Sequence, residues 1–272
     1  MMRSLWTAAS GMMAQQTSVD TISNNLANVN TVGYKSESTE FKSLLYQNLQ
    51  SRTTSANGEY KPVAAQVGLG ARVASVTSHF TQGAMNASDS STDFAISGDG
   101  LFAVQNEEGE TVYTRNGNFL MAINPNGGTT LTTADGYSVL DSNGKAITFD
   151  AATDTTRLSF DNYGNIFYKN AQGVIQPTGV RIGAAQFNNP SGLTKLGDSY
   201  FAESAASGNA RIEGQDAALS VSVIKNGYLE ASSVQAVDEM VDMIVTQRAY
   251  EMNSKAITAS DEMLQQVNNL RS

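Results

Sequence analysis

The chain has 272 residues, 40% hydrophobic and only 16% charged, with a formal net charge of −9, no cysteine and a single histidine, His79. That inventory excludes a thiol nucleophile, a disulfide framework and a cysteine-based zinc site. It leaves any Ser–His–acid triad or histidine metal cluster resting on His79 alone, and it argues against nucleic acid as the main partner.

The first residues, Met-Met-Arg-Ser-Leu-Trp, carry one basic side chain, but polar residues interrupt the segment before the apolar run of a secretory signal can form. No stretch approaches the roughly 20 apolar residues of a membrane helix. The expectation is a chain with no membrane insertion that stays in the cytoplasm or is exported without a cleaved signal. Residues 1–50 hold no proline and only two glycines, which predicts a helix. Within it Leu5, Met12, Val19 and Leu26 recur every seven residues, and Ala8, Gln15, Ile22 and Val29 do so three positions on. All but Gln15 are apolar, the a/d pattern of a coiled-coil seam. The predicted end is Asn30-Thr31-Val32-Gly33, where glycine can turn left-handed after a helix.

All four prolines and most of the glycines lie in the middle of the chain. Turn dipeptides stand at Asn116-Gly117, Asn126-Gly127, Asp135-Gly136, Asn143-Gly144 and Asn226-Gly227. Between several of them lie short β-prone runs: Thr111–Thr114, Tyr137–Leu140 and Ala146–Phe149. This spacing predicts an antiparallel all-β module. Arg115–Phe119 and Asn162–Ile166 both fit hairpin turns.

Residues 233–272 hold neither proline nor glycine. Val234, Val237, Val241, Val245, Ala249, Met252, Ala256, Ala259, Met263, Val267 and Leu270 advance by three or four throughout, which predicts a long helix with a narrow apolar stripe. Ser232 and Gln235 suggest a capping box at its start, Asp238, Glu239 and Asp242 suit the helix dipole, and Glu251 with Lys255 makes an i,i+4 pair. Such a stripe needs a partner: the N-terminal helix, or helices of other copies.

Chemistry is scarce. Gly98-Asp99-Gly100 superficially fits a dinucleotide fingerprint but leads into an apparent strand, Leu101–Gln105, rather than a helix. Asp141-Ser-Asn-Gly and Asp161-Asn-Tyr-Gly lack the twelfth-position glutamate of a calcium loop. Glu107, Glu108 and Glu110 surround Gly109, which reads as a solvated turn rather than the paired carboxylates of a glycosidase. No catalytic, cofactor-binding or metal-binding residue is expected.

Three segments carry a resemblance. Ser23-Asn-Asn-Leu-Ala-Asn-Val-Asn-Thr-Val-Gly-Tyr-Lys35 is similar to the N-terminal signature of bacterial flagellar rod and hook proteins. Asp93–Phe102 followed by Tyr113–Phe119 resembles their shared β-domain entry, and Gly227–Val234 followed by Thr246–Lys255 resembles their C-terminal signature. Asn25, Leu26, Ala27, Asn28, Gly33, Arg248, Tyr250, Glu251 and Asn253 are the matching signature positions. Arg3–Trp6, Ala14–Thr17 and Phe41–Gln47, with the chain length, are most similar to the distal-rod branch, although Ser233 and Gln235 stand where the family usually has Asn and Asp or Asn.

The resemblance implies an α+β fold, in which long N- and C-terminal helices pair as a coiled coil and flank a central antiparallel β domain. The expected layout is an inner helical domain of 1–45 with 230–272, a connecting region of 46–75 with 205–229, and an outer β domain of 76–204. It also implies a non-enzymatic axial subunit that polymerises with itself around an export channel and transmits torque. The expected partners are other rod and hook proteins, the flagellar type III export apparatus and, where the cell has an outer membrane, the rod-surrounding rings. The expected place is the extracytoplasmic basal body. The coiled-coil seam would comprise Leu5, Met12, Val19, Ile22, Leu26 and Val29 with Val237, Val241, Val245, Ala249, Met252, Ala256, Ala259, Met263, Val267 and Leu270. A proximal rod or hook subunit is the nearest alternative; a monomeric adhesin or carbohydrate-binding β-module is the alternative from another class.

Overall fold

A computed structural model describes residues 2–50, 65–124, 127–150, 157–170, 174–215 and 219–270. Asn126 of the predicted Asn126-Gly127 turn lies outside them. The described chain forms two compact units: Met1–Ala27 with Glu37–Ser78 and Gln235–Ser272, and Asn28–Ser36 with His79–Val234.

The first unit holds both breaker-poor ends. Helix α1 spans Met2–Ala27 and helix α2 spans Ala236–Asn269. Strand Glu37–Ser43 pairs antiparallel with Ala71–Ser78, with a bulge at Glu40/Phe41, and Tyr46–Gln50 pairs with Ala65–Gly68. Gly70 lets this ribbon lie against α1, because a Cβ there would sit 2.0 Å from the Ser10 hydroxyl oxygen.

Both helix ends differ from expectation. α1 stops at Ala27, and Asn28 begins a turn in which the Thr31 N–H and hydroxyl bond back to Asn28. Gly33 is left-handed as expected, at φ 70°. The proposed capping box at the start of α2 does not form. Gln235 is itself the N-cap and makes no side-chain cap bond. Ser232 accepts the Val234 N–H instead, and Ser233 accepts the N–H of Ser36. The carboxylate of Glu251 is taken by Arg248, at 2.8 Å.

The second unit is antiparallel β-structure. A ten-stranded sheet is built around Leu101–Gln105, which pairs with Thr111–Thr114 on one side and with Ser138–Val139 and Ala184–Gln186 on the other. Leu158–Phe160, Asn165–Lys169 and Ile175–Arg181 form a smaller sheet. Phe94–Ser97 pairs with Val223–Asn226, and Met85–Ala87 with Tyr228–Glu230.

Alternation explains the near-continuous apolar run of Leu101–Val104. Phe102 and Val104 enter one core with Val112, Val139, Ala184 and Tyr200, whereas Leu101 and Ala103 enter a second with Tyr113, Leu140, Ala185 and Phe201. Successive residues thus serve opposite faces of one sheet, and both faces are buried. Phe102 packs edge-on against Phe119 at 5.1 Å, and Phe94 against Phe160 at 4.8 Å.

Asp135-Gly136 and Asn143-Gly144 are tight turns, as expected, with left-handed glycines. Asn116-Gly117 is not a hairpin. The Gly117 carbonyl accepts the Phe94 N–H, and a Cβ on Gly117 would fall 1.8 Å from the Phe94 carbonyl oxygen. Its glycine is required for close backbone approach rather than for a turn. Asn226-Gly227 likewise joins strands that pair with different partners.

Phe102→Ala is expected to destabilise the β unit by about 3–5 kcal/mol, since its whole side chain is buried between two sheets' worth of apolar contacts. Chemical denaturation followed by tryptophan-independent near-UV signals of the tyrosines measures this; a loss below about 1 kcal/mol would place Phe102 outside the core.

Candidate functional site

Among the described residues no group of three or more His, Cys, Asp or Glu side chains is placed to hold a metal. His79 is exposed, and its N–H donates to the Ser36 carbonyl. Glu107, Glu108 and Glu110 are exposed around the Gly109 turn. The two most buried carboxylates, Glu213 and Glu230, are both occupied by structural donors. Glu213 accepts from the Ser222 N–H and hydroxyl and from Gln186.

Glu230 is the centre of a buried ionic node. Lys35 Nζ donates to Glu230 Oε1 at 2.7 Å and to the Thr81 carbonyl at 2.7 Å. Arg115 Nε donates to Glu230 Oε2 at 2.5 Å, and the Gly83 N–H donates to Oε1 at 2.8 Å. Two cations face one anion, and the excess charge of Arg115 is met by carbonyls: Nη2 donates to Ile96 at 2.9 Å and Gly98 at 2.7 Å, and Nη1 to Gly100.

All three side chains are at most 4% exposed. Burial lowers the Lys35 pKa from its ordinary value, and the neighbouring Glu230 carboxylate opposes that shift. The backbone closes over the same point. The Gly33 N–H donates to the Glu230 carbonyl, and a Cβ on Gly33 would stand 2.7 Å from the Arg115 carbonyl carbon. Lys35, Arg115 and Glu230 come from the three signature segments, which the fold brings to one place. Little in the sequence distinguishes them: Lys35 is the one charged residue of Ser23–Lys35, but Asp93 and Asp99 share a segment with Arg115, and Arg248, Glu251 and Lys255 share one with Glu230.

The pairing of α1 with α2 is the second feature. The helices run antiparallel. Ser4 Oγ lies 3.3 Å from Ser260 Oγ, the Asn253 amide covers Gly11, and Asn25 Nδ2 donates to Glu239 Oε1 at 2.9 Å. Asn25 is 1% exposed, and its amide also receives the Glu37 N–H and donates to the Glu37 carbonyl, as a strand residue would. Thr246 and Ser260 are the buried residues of α2; each hydroxyl donates to the carbonyl four residues back. Satisfied within their own helix, they pack as small side chains.

The predicted stripe of α2 is therefore not what packs on α1. Val237, Val241, Val245, Met252, Met263, Val267 and Leu270 are 48–88% exposed, Ala256 and Ala259 are exposed, and Ala249 is half-buried. The packed line of Thr246, Asn253 and Ser260 follows Val245, Met252 and Ala259 by one residue, about 100° of rotation. A neighbouring face of the helix therefore meets α1, with Ala249 between the two.

On α1, Ile22 is buried, and Leu5, Met12, Val19 and Leu26 are half-buried, as is Val29 in the turn beyond. Ala27 is exposed and Asn28 half-buried. Arg248 and Glu251 form an exposed pair. Tyr250 is 43% exposed and lines an open groove with Gln16, Val19 and Gln247.

Family models match three parts of the chain: "Flagella basal body rod protein" at residues 5–35, "Flagellar hook protein FlgE/F/G D1 domain" at 95–168, and "Flagellar basal body rod FlgEFG protein C-terminal" at 225–270. Full-length relatives include three proteins named flagellar basal-body rod protein FlgG. That of Borreliella burgdorferi is 40% identical, over 100% of this chain and 99% of its own. That of Bacillus subtilis is 38% identical and that of Caulobacter vibrioides 41%, each over 100% of both chains.

Glu230→Gln leaves Lys35 and Arg115 buried without an anion and is expected to destabilise the β unit by about 3–5 kcal/mol, read by chemical denaturation. The helix pair should respond to pH through Glu239. Burial raises its pKa above the ordinary 4.5, Asp242 and Asp238 add to the rise, and the Asn25 hydrogen bond opposes it. The folded unit then holds this proton more tightly than the unfolded chain. Its stability should rise as pH falls through the window between the raised value and 4.5, with no further gain from this group below it. Glu239→Gln keeps an acceptor for Asn25 and should flatten that slope in far-UV melting curves; an unchanged slope would assign it to another group.

Proposed function

We propose a function that proceeds from one fact: the chain belongs to the flagellar basal-body rod protein family. It is a structural subunit of the distal rod and not an enzyme, and it is a component of the flagellar basal body, where rod proteins assemble with other rod and hook proteins.

The finer reading is that identical copies stack into an open helical polymer around the export channel and carry torque through their contacts. Heterologous contacts that do not close into a ring build such an assembly. The observation that supports it is the outward stripe of α2. Val237, Val241, Val245, Met252, Met263 and Val267 stay exposed along one face of a 34-residue helix after α1 has been accommodated on another. A monomer rarely leaves so long an apolar row in water. At roughly 25 cal/mol per Å² its burial between copies would outweigh surface ion pairs such as Arg248–Glu251.

In this reading the α1–α2 pair is one half of a coiled-coil layer completed by other subunits. The seam positions of both helices form the inner layer with 1–45 and 230–272, residues 46–75 and 205–229 connect, and 76–204 face outward. The type III export apparatus, and ring proteins where an outer membrane exists, are the further partners, and the place of action is the extracytoplasmic cell-wall zone.

Met252→Asp and Ala256→Asp each place a charge on the outward stripe. Both are expected to abolish polymerisation, because assembly would bury an unpaired carboxylate. The monomer should stay folded, because neither residue packs on α1. Sedimentation at rising concentration with electron microscopy of the product measures this. Rods formed at normal efficiency by either variant would move the subunit contact elsewhere.

A further inference from the structure

We infer that the small and polar side chains between α1 and α2 act as a register key, which admits one antiparallel alignment of the two helices and rejects alignments displaced by seven residues. The contacts Ser4–Ser260, Gly11–Asn253 and Asn25–Glu239 advance in steps of seven or fourteen along both helices, in opposite directions. The same steps set Ser18 opposite Thr246.

A repeat of seven creates the problem that the key solves. Leu5, Met12, Val19 and Leu26 present the same kind of surface after a slip of seven. Apolar contact alone therefore leaves the register degenerate, as in an all-apolar coiled coil. The rungs are not interchangeable. The Asn253 amide lies over Gly11, where a Cβ would stand 2.9 Å from its Nδ2 and 3.3 Å from its Cγ and would push the amide aside. A slip in either direction moves Asn253 opposite Ser4 or Ser18, both of which carry a Cβ.

The Asn25–Glu239 rung is stricter. Asn25 cannot follow a slip, because its amide oxygen and one amide proton are committed to the Glu37 backbone at 2.9 and 2.8 Å. Its Nδ2 also donates to Glu239 Oε1 at 2.9 Å. One slip sets Asn25 beyond the start of α2 at Ala236; the other sets Glu239 beyond the end of α1 at Ala27. Each breaks the Asn25–Glu239 hydrogen bond, the kind of penalty by which a single polar residue fixes register elsewhere. The polar face thereby holds the pair in place while the apolar stripe of α2 stays outward, a consequence that rests on the proposed assembly, whereas the register itself does not.

The absence of cysteine makes the test direct, because introduced pairs are the only thiols. Ser4→Cys/Ser260→Cys reports the observed register, and Ser4→Cys/Val267→Cys reports a slip of seven. Both are oxidised at concentrations too low for polymerisation, and intramolecular products are separated from dimers on non-reducing gels. With the Gly11–Asn253 and Asn25–Glu239 rungs intact, the first pair is expected to form its disulfide at least about tenfold faster than the second. In a Glu239→Leu/Asn253→Ala background the two rates should converge. Equal rates with the key intact, or an undiminished preference without it, would overturn the proposal. If that background loses helicity, Gly11→Ala alone decides: the Ser4/Ser260 rate should fall by roughly tenfold, and an unchanged rate would also overturn it. Rod formation is scored separately by electron microscopy, so failure of the assembly reading leaves this result standing on its own.

Discussion

The Glu230 carboxylate is buried between two cations, and the arrangement around it follows from replacing its contacts with water. Removing a carboxylate from water costs several kcal/mol unless other groups replace its hydration. Here Lys35, Arg115 and the Gly83 N–H replace it, and three carbonyls in turn satisfy the extra cation. Because these donors come from residues 35, 83 and 115, their convergence ties three remote parts of the chain into one unit. Such a node adds less to stability than an apolar cluster of equal volume, but it tolerates almost no alternative geometry. Gly33 belongs to the same constraint, since its missing side chain lets the backbone reach Arg115.

The helices divide their faces by a different logic. Where α2 meets α1, the buried Thr246 and Ser260 are small and satisfied within their own helix and Asn253 covers Gly11, among the half-buried Met243, Ile257 and Leu264. Where α2 faces outward, valine and methionine predominate. In an ordinary two-helix hairpin the apolar face turns inward. Here a second apolar row stays outward as well, which suits the proposed contacts between copies, and the low charge of the chain suits them too. Neutral hydroxyls and amides can face one another in repeated contacts without the repulsion that a like-charged surface would bring.

The β unit shows how far local pattern reaches. Thr111–Thr114 is a strand over the residues that its composition indicated, and Asp135-Gly136 and Asn143-Gly144 turn as their types require. The apolar run Leu101–Val104 was legible as a strand, but nothing local says that it divides two cores. That depends on Phe119 and Phe187 arriving from elsewhere to cover opposite faces. Asn116-Gly117 has the composition of a hairpin, yet its glycine is needed because the Phe94 carbonyl presses on it. The capping box was plausible for the same local reason, but the Ser232 hydroxyl accepts the Val234 N–H and the helix begins only at Ala236, with Gln235 as its N-cap.

By itself the sequence determined the α+β class, the two long terminal helices, the antiparallel middle, the empty inventory of catalytic groups and the family. Each of these rests on short-range periodicity, breaker residues, composition or contiguous motifs, all of which act over a few residues. Only the tertiary structure decided which side of α2 meets α1, why Asn25 and Asn253 stand where they do, and that Lys35, Arg115 and Glu230 form one node. The reason is physical. A period of seven fixes the spacing of a face but not its partner, and a buried charge acquires its role from donors that chain folding alone brings within hydrogen-bond distance.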